Sequence, residues 1–434
     1  MTTPAPADHS DVLIIGGGIA GVTAAYFLAR LGGSVRLLEK STVSSHQSSR
    51  NWGFVRRQGC DPLELPLAQK SSLAWRALKE SIGDPLTLAR AGLVNLAANE
   101  TMLGQYRQWV AATGADGVAG TQILGPDEIR KLLPGVTGPW TGAMYTPEDG
   151  HAEPGKATRA IAAAAKELGA RIDEHVTVQA ICVSGGRVTG VDTSAGTMRA
   201  GTVVCAAGAW SSRLLRPLGI RLPVRWIRAT AARTTPAPPL TDLAVATPGV
   251  GFSQAADGRV TFGSAAWSDY DIGIGTLGNL RLFLPNFARN RKMIKLHLNR
   301  VLLEDVARRL PGRLDGSAAF DWPRMDNPPP NRTKIEGAFR TLRGIVPELA
   351  GTRIETAWAG TVDVTPDALP VIGHVDGVPG LVLATGLSSH GFGIGPGVGQ
   401  AVSELIRDGA ASIDLAPFRV GRFAEGPVRA HNHL

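Results

Sequence analysis

The 434-residue sequence predicts an α/β fold: a Rossmann-like dinucleotide-binding domain, made discontinuous by a threaded α+β substrate domain with an antiparallel sheet. Three observations predict it. A glycine signature, Gly16-x-Gly18-x-x-Gly21, follows a short apolar run and opens a helix. A second helix–strand block begins near Pro154 and closes on an apolar strand that runs into Ala207-Gly208. Residues 221–350 then mix strands, Pro clusters and one long helix, before a glycine-rich strand–turn–helix pattern returns at 354–410.

Residues 1–9 read as a disordered lead-in. Asp11–Ile15 is an apolar run of the kind found in a buried parallel strand. Val22–Leu31 is helix-forming and stops at Gly32-Gly33, and Ser34–Leu38 is the next strand, ending at Glu39. That completes a βαβ unit. Gly16 permits the tight turn, Gly18 lets the backbone approach a pyrophosphate, and Gly21 lets helix and strand pack closely. The helix start, with Ile19 and Ala20, offers free N–H groups and the positive end of its dipole to phosphates. Glu39 stands where a carboxylate bonds ribose hydroxyls, with Lys40 beside it. An acid there argues against a 2′-phosphate. The signature alone does not separate NAD from FAD.

In the second block, residues 155–168 form an Ala-rich helix ended by Gly169. Strands follow at Arg171-Ile172 and from His175 through Val176 to Val183. Gly185-Gly186 turns the chain into Arg187–Thr193, and Ala200–Ala206 is a buried strand.

Composition sets bounds. Apolar residues make up 44% and charged residues 19%, which suits a large core. The net charge of +8 comes mostly from dispersed Arg and reads as a general Arg-rich style rather than nucleic-acid binding, with steering of anionic substrates as a second reading. Cys60, Cys182 and Cys205 form no C-x-x-C pair and no metal spacing, and point to a reducing compartment. No signal-peptide pattern and no spanning apolar stretch is present, so a cytoplasmic location is expected.

Several segments, in order, resemble the D-amino acid oxidase-like superfamily of glycine oxidase, sarcosine oxidase and D-amino acid dehydrogenases. Ser48-Ser49-Arg50-Asn51-Trp52-Gly53-Phe54-Val55-Arg56 resembles the segment that passes beneath the flavin. Pro147–Pro154 is similar to the entry into the second helix, and Thr202–Trp210, with Ala207 and Gly208, resembles the second FAD-contacting strand. Trp358-Ala-Gly360, Thr365-Pro-Asp367, Pro370–Gly373 and Gly386–Phe392 resemble the stretch along the isoalloxazine ring, where Gly391-Phe392-Gly393 opens a helix toward its carbonyl edge. The resemblance implies FAD as cofactor. It places the FAD domain at 1–80, 150–220 and 350–434, and the substrate domain at 81–149 and 221–349.

It also implies oxidation of a C–N bond: hydride leaves carbon for flavin and the imine hydrolyses. The substrate would be an amine or amino acid, with a secondary or N-substituted amino acid favoured. The reason is a substitution. Glycine oxidase-like members carry a carboxylate-binding Arg where this chain has Val362, whereas Arg56 resembles the sarcosine oxidase-like Arg under the flavin. Arg50 and Arg57 could serve FAD phosphate or face solvent. Thr261 stands where sarcosine oxidase-like members place an oxygen-activating Lys. With no Cys near Trp358, and His46 reading as a polar loop residue, FAD is expected to be non-covalent. His390 could face flavin or substrate, or only shape its turn. Trp52, Trp226, Trp267 and Trp322 are candidates for the cavity wall. Residues 281–311 carry eight Lys/Arg interleaved with apolar residues, against Glu304 and Asp305. They read as a basic helical cover of the substrate domain, with membrane or partner docking as the alternative. Oxidation of a 2-hydroxy acid or a biosynthetic intermediate, or a flavin-binding subunit role, also remains open.

Overall fold

A computed structural model describes residues 9–118, 120–273, 279–307, 326–426 and 428–429. The apolar run at the N-terminus is strand β1 (His9–Ile15), and helix α1 (Ile19–Arg30) follows the glycine turn. Strand β2 (Val35–Leu38) lies parallel to β1 with Ile15 beside Leu38. β3 (Arg171–Asp173) extends the sheet beyond β2, and β4 (Gly196–Cys205) lies on the other side of β1, with Ile15 beside Cys205. Residues 12–15 of β1 and all of β2 are buried on both faces, which is why they read as continuous apolar runs. The hairpin expected at Gly185-Gly186 is present, with both glycines at positive φ.

The second sheet is mostly antiparallel and has ten strands among the described residues. Its centre is the long pair β5 (Arg225–Thr234) and β6 (Ile354–Val364), with Trp226 opposite Asp363 and Ile227 opposite Val362. Residues 93–97, 142–146 and 122–124 form its far edge. After β6 the chain returns to the first sheet through β7 (Val371–His374) and β8 (Leu381–Thr385), and β8 pairs parallel with β4.

Two helices fix the final one. α2 (Leu65–Ile82) and α1 flank α6 (Gly391–Asp408), the helix opened by Gly391. Three further helices are α3 (Pro154–Glu167), α4 (Leu280–Asn290) and α5 (Arg332–Ile345). The glycines of α6 serve close approach. A Cβ at Gly399 would stand 2.5 Å from the Ala24 nitrogen of α1, and one at Gly397 would stand 2.8 Å from the Leu67 oxygen of α2. Pro396 lies inside α6. Ser71 of α2 stitches the ladder there, donating to the Gly393 oxygen (2.7 Å) while accepting from the Gly397 N–H (3.0 Å). Trp75 Nε1 donates to the same Gly393 oxygen, and Thr23 of α1 donates to that of Gly395.

The basic segment 281–311 is not one helical stretch. α4 holds Pro285 and gives way to a 3₁₀ turn. Ile294–His297 is then a strand pairing parallel with Ser268–Asp271, and Arg300–Ala307 is again helical. Its amphipathic pattern is real, but strand pairing overrides helical continuity. Arg308, Arg309 and Trp322 lie outside the described residues.

Candidate active site

Two connected cavities lie between the sheets. The first, about 160 Å3, runs along the C-terminal ends of β1, β2 and β4. Its floor is Ile15–Ala20, its far end Glu39, Lys40 and Val176, and its near end Ala207, Gly208 and Trp210, with Ser48, Asn51, Gly391 and Phe392 closing in from elsewhere. The glycine turn matches the demand of a pyrophosphate. Gly16 has φ +108°, and a Cβ there would stand 2.5 Å from the Ala206 oxygen. Gly21 packs α1 against the turn. Ser48 Oγ accepts from the Ile19 N–H at 2.8 Å, at the helix N-terminus. Glu39 is buried, and its two oxygens accept from the Gly17 N–H (2.7 Å) and the Ser41 N–H (2.8 Å). Lys40 stacks over Trp210 at 3.9 Å and pairs with Asp326, which His46 also contacts at 3.1 Å.

The second cavity is larger, about 490 Å3. Gln47, Asn51, Val362, Ser389 and Phe392 line both cavities, so the two meet at the start of α6. Seven Phe, Trp or Tyr residues line the second: Trp52, Phe54, Trp267, Tyr270, Phe283, Phe287 and Phe392. Arg50, Arg56, Arg225 and Lys334 supply positive charge, and no Asp or Glu is among the described residues of its wall. α4 and the strand after it form its outer wall, through Leu280, Phe283, Asn286 and Leu296.

The sequence-predicted residues divide between these places. Arg56 and His390 line the second cavity, as do Arg50, Trp52, Trp267 and Gly393. Arg50 is committed to the protein, its guanidinium donating to the Ala359 oxygen (3.0 Å) and the Ser45 oxygen (2.8 Å). Burial pulls its pKa down, and Asp326 offsets part of that. Arg57 neither faces solvent nor lines the cavities. It is buried against Asp149, with Nε 3.2 Å from the carboxylate. Trp226 donates to the Ala209 oxygen and stands outside both cavities. Ser49, Gly53, Gly360 and Asp367 line neither. Ser49 donates to His46, Gly53 lies against Ala152, and Gly360 abuts Gln47. Asp367 is held by Arg422 at 2.7 and 3.0 Å. These four shape the walls from behind.

Several wall residues gave no sequence signal. Gln47 and Ser389 sit at the junction of the cavities. Lys334 enters from α5. It donates to the Trp267 oxygen and lies 3.4 Å from the fully buried Asp269. Burial lowers the Lys334 pKa and Asp269 partly restores it. Burial alone would raise the Asp269 pKa, but Lys334 and His297 hold it below the usual carboxylate range. Thr261, where sarcosine oxidase-like members carry a lysine, is buried in the sheet opposite Ser253. Asp363, on the nucleotide side, accepts from the Gly386 N–H at 2.8 Å, and burial pushes its carboxyl up to about 6.

The comparisons agree with this architecture. A family model described as FAD dependent oxidoreductase matches residues 11–405. Sarcosine oxidase subunit beta of Rhodobacter capsulatus is 25% identical over 99% of this chain and 93% of its own length. Glycine oxidase of Geobacillus kaustophilus is 27% identical over 95% and 97%. The solved L-amino acid deaminase from Proteus myxofaciens, in complex with anthranilate, superimposes with a TM-score of 0.88 at 27% identity, covering 97% of this chain and 95% of that one. The chain belongs to the FAD dependent oxidoreductase family and is an enzyme of the C–N-oxidising kind.

Proposed function

From that membership, we propose that the chain oxidises an amino acid whose substituent is large and apolar, and that the second cavity binds it. The observation that carries the reading is the wall of that cavity: four cations, no carboxylate among its described residues, and seven Phe, Trp or Tyr rings. Such a wall selects an anion attached to an apolar body. Arg56 is the residue we assign to the substrate carboxylate, because Arg50 and Lys334 are engaged by protein oxygens and Arg225 lies over the Phe283 ring. Arg56 spends one N–H on the Gln58 oxygen, which leaves most of its five donors. A secondary amino acid with an apolar ring or chain falls within the same class. Anthranilate, the aromatic amino-carboxylate held by the Proteus myxofaciens neighbour, has this chemistry.

FAD, when bound, supplies the acceptor for the hydride. Gly16, Gly18, Ile19 and Ala20 would hold its pyrophosphate, Glu39 its ribose, and Ser48, Asn51, Val176, Ala207, Gly208 and Trp210 the rest of the cleft. Gly391–Gly393 would present the α6 N-terminus to its ring. FAD is held non-covalently in this reading, and a cytoplasmic location agrees with three free thiols. No helix of the described residues is long and apolar enough to cross a membrane. The outer face of residues 280–303 is a secondary candidate for partner contact. Size-exclusion chromatography of the chain expressed alone reads that out.

The test is anaerobic. The purified flavoprotein is mixed with a panel of aromatic, aliphatic, N-methyl and cyclic amino acids of both configurations. Bleaching of the flavin by bulky apolar members, with keto acid as product, is expected. Bleaching by glycine or sarcosine alone, or by none, overturns the reading.

A further inference from the structure

Glu64 stands just behind the wall of the second cavity, at the residue before α2. Its side chain is fully buried, and neither oxygen has a hydrogen bond of standard geometry among the described residues. Two groups stand against it among the described residues. His390 Nδ1 lies 3.5 Å from Oε2, and the Cys60 thiol lies close enough that Glu64 helps burial to raise the thiol's pKa well above its ordinary value. His390 is the residue before α6, its side chain is 8% exposed, and it lines the cavity.

A buried carboxylate that lacks donors is costly unless a cation compensates it. Among the described residues against Glu64, the imidazole of His390 is the cation candidate whose charge can come and go. Arg56 and Cys60 belong to the segment before α2, and the Arg56 charge opposes that of Glu64 at Cys60. Arg50, Arg225 and Lys334 stand elsewhere on the cavity wall as permanent or protein-paired cations. The group aimed at Glu64 is the imidazole. An Nδ1–H directed at a carboxylate fixes the tautomer and makes Nε2 the basic nitrogen of the ring.

We propose that Glu64 and His390 form a proton-accepting pair: His390 Nε2 takes one proton from the ammonium group of the entering amino acid, and Glu64 compensates the imidazolium that results. This rests on the amino-acid reading given above. The nitrogen that loses the proton recovers the lone pair that becomes the imine π bond when the hydride leaves carbon for FAD. The imidazolium returns its proton to water after the imine departs. His390 is then a catalytic residue, and Glu64 is a positioning residue that acts through it.

The experiment uses the intact flavoprotein and its best amino acid from the panel. In the wild type, kcat/KM rises at a pH below the titration of the free substrate's own ammonium group. His390→Asn moves the rise up to that titration and lowers kcat/KM at neutral pH by on the order of 10²-fold. Glu64→Gln moves the rise to lower pH and costs about tenfold, and Glu64→Asp restores part of the loss. A spectroscopic arm does not depend on turnover. Long-range 1H–15N spectra of histidine-labelled wild type and His390→Asn assign the His390 signal, which should be the Nδ1–H tautomer when neutral. The Nε2–H tautomer, or pH profiles of both variants that superimpose on the wild type, overturns the pair. A wild type that bleaches with no amino acid overturns the substrate reading instead.

Discussion

Asp363→Asn should flatten the pH dependence of stability on the acid side. Asp363 sits at the end of β6, accepts from the Gly386 N–H at 2.8 Å, and has its carboxyl raised from 3.8 to about 6, burial being the largest cause. The sign follows from where the proton is held. Below pH ~4 both folded and unfolded chains carry it, and the group costs nothing. Between pH ~4 and ~6 the unfolded chain ionises while the folded one keeps its proton, so stability falls as pH rises. Above pH ~6 the loss levels off, at about 3 kcal/mol for a gap of this size. For a chain of 434 residues that is a shift of roughly 3 °C in Tm. Asparagine keeps an acceptor for Gly386 but does not titrate. The assay is thermal unfolding of both proteins, FAD-loaded and FAD-free, in steps from pH 4 to 8. The difference between their Tm values cancels the other titrating groups. A difference that stays constant across the range would refute the assignment of a raised carboxyl.

Other substitutions follow from the same geometry. Arg57→Leu leaves Asp149, itself buried with a raised pKa, without its ion-pair partner. It should cost about 3–5 kcal/mol in denaturant unfolding, whereas an exposed Arg57 would cost almost nothing. Ser71→Ala removes the hydroxyl that bridges the Gly393 oxygen and the Gly397 N–H. A loss of about 1–3 kcal/mol is expected, together with faster FAD release, both measured by flavin fluorescence on heating. Gly263→Ala places a methyl against the indole of Trp52 and should push that ring into the second cavity. Its signature is a raised KM for the bulkiest substrates and little change for the smallest. Arg56→Leu should raise KM for carboxylate substrates by on the order of 10²-fold and leave FAD content unchanged, measured by absorbance.

What the sequence made legible was local. Gly16, Gly18, Gly21 and Glu39 belong to one βαβ unit, so their spacing carries the geometry by itself. Where partners are remote, the reading could not reach. Arg56 and Arg57 are adjacent and chemically identical, yet one lines the cavity and the other is buried on Asp149. Only the pairing of Phe54-Val55 with Gly150-His151 separates their fates. Asp367 looked like a ligand residue because its motif sits in the flavin stretch, but Arg422 claims it. Lys334 and Glu64 carried no motif at all, and reach the cavity region because α5 and α2 begin there. The segment 281–311 misled for another reason. Its apolar spacing suits a helix, but Ile294–His297 finds a strand partner at Ser268–Asp271.

The turn from Gly386 to His390 joins these strands of reasoning. Ser388 and Ser389 both have positive φ (48° and 75°), a conformation that costs a non-glycine residue on the order of 1–2 kcal/mol. The surroundings hold it there. Ser388 Oγ accepts from the Thr365 N–H at 3.1 Å and meets Thr365 Oγ1 at 3.0 Å, and Asp363 engages Gly386. Two residues in that conformation reverse the chain tightly enough for α6 to start at the junction of the two cavities, where Ser389 and Phe392 line both. The positive end of an 18-residue helix is thereby placed where a reduced flavin would carry its charge. The same turn carries His390 to the wall beside Glu64. A fold that wanted only a helix there could use a relaxed glycine turn. Strain at 388 and 389, braced by Thr365 and Asp363, is what sets the helix end and the imidazole in one place.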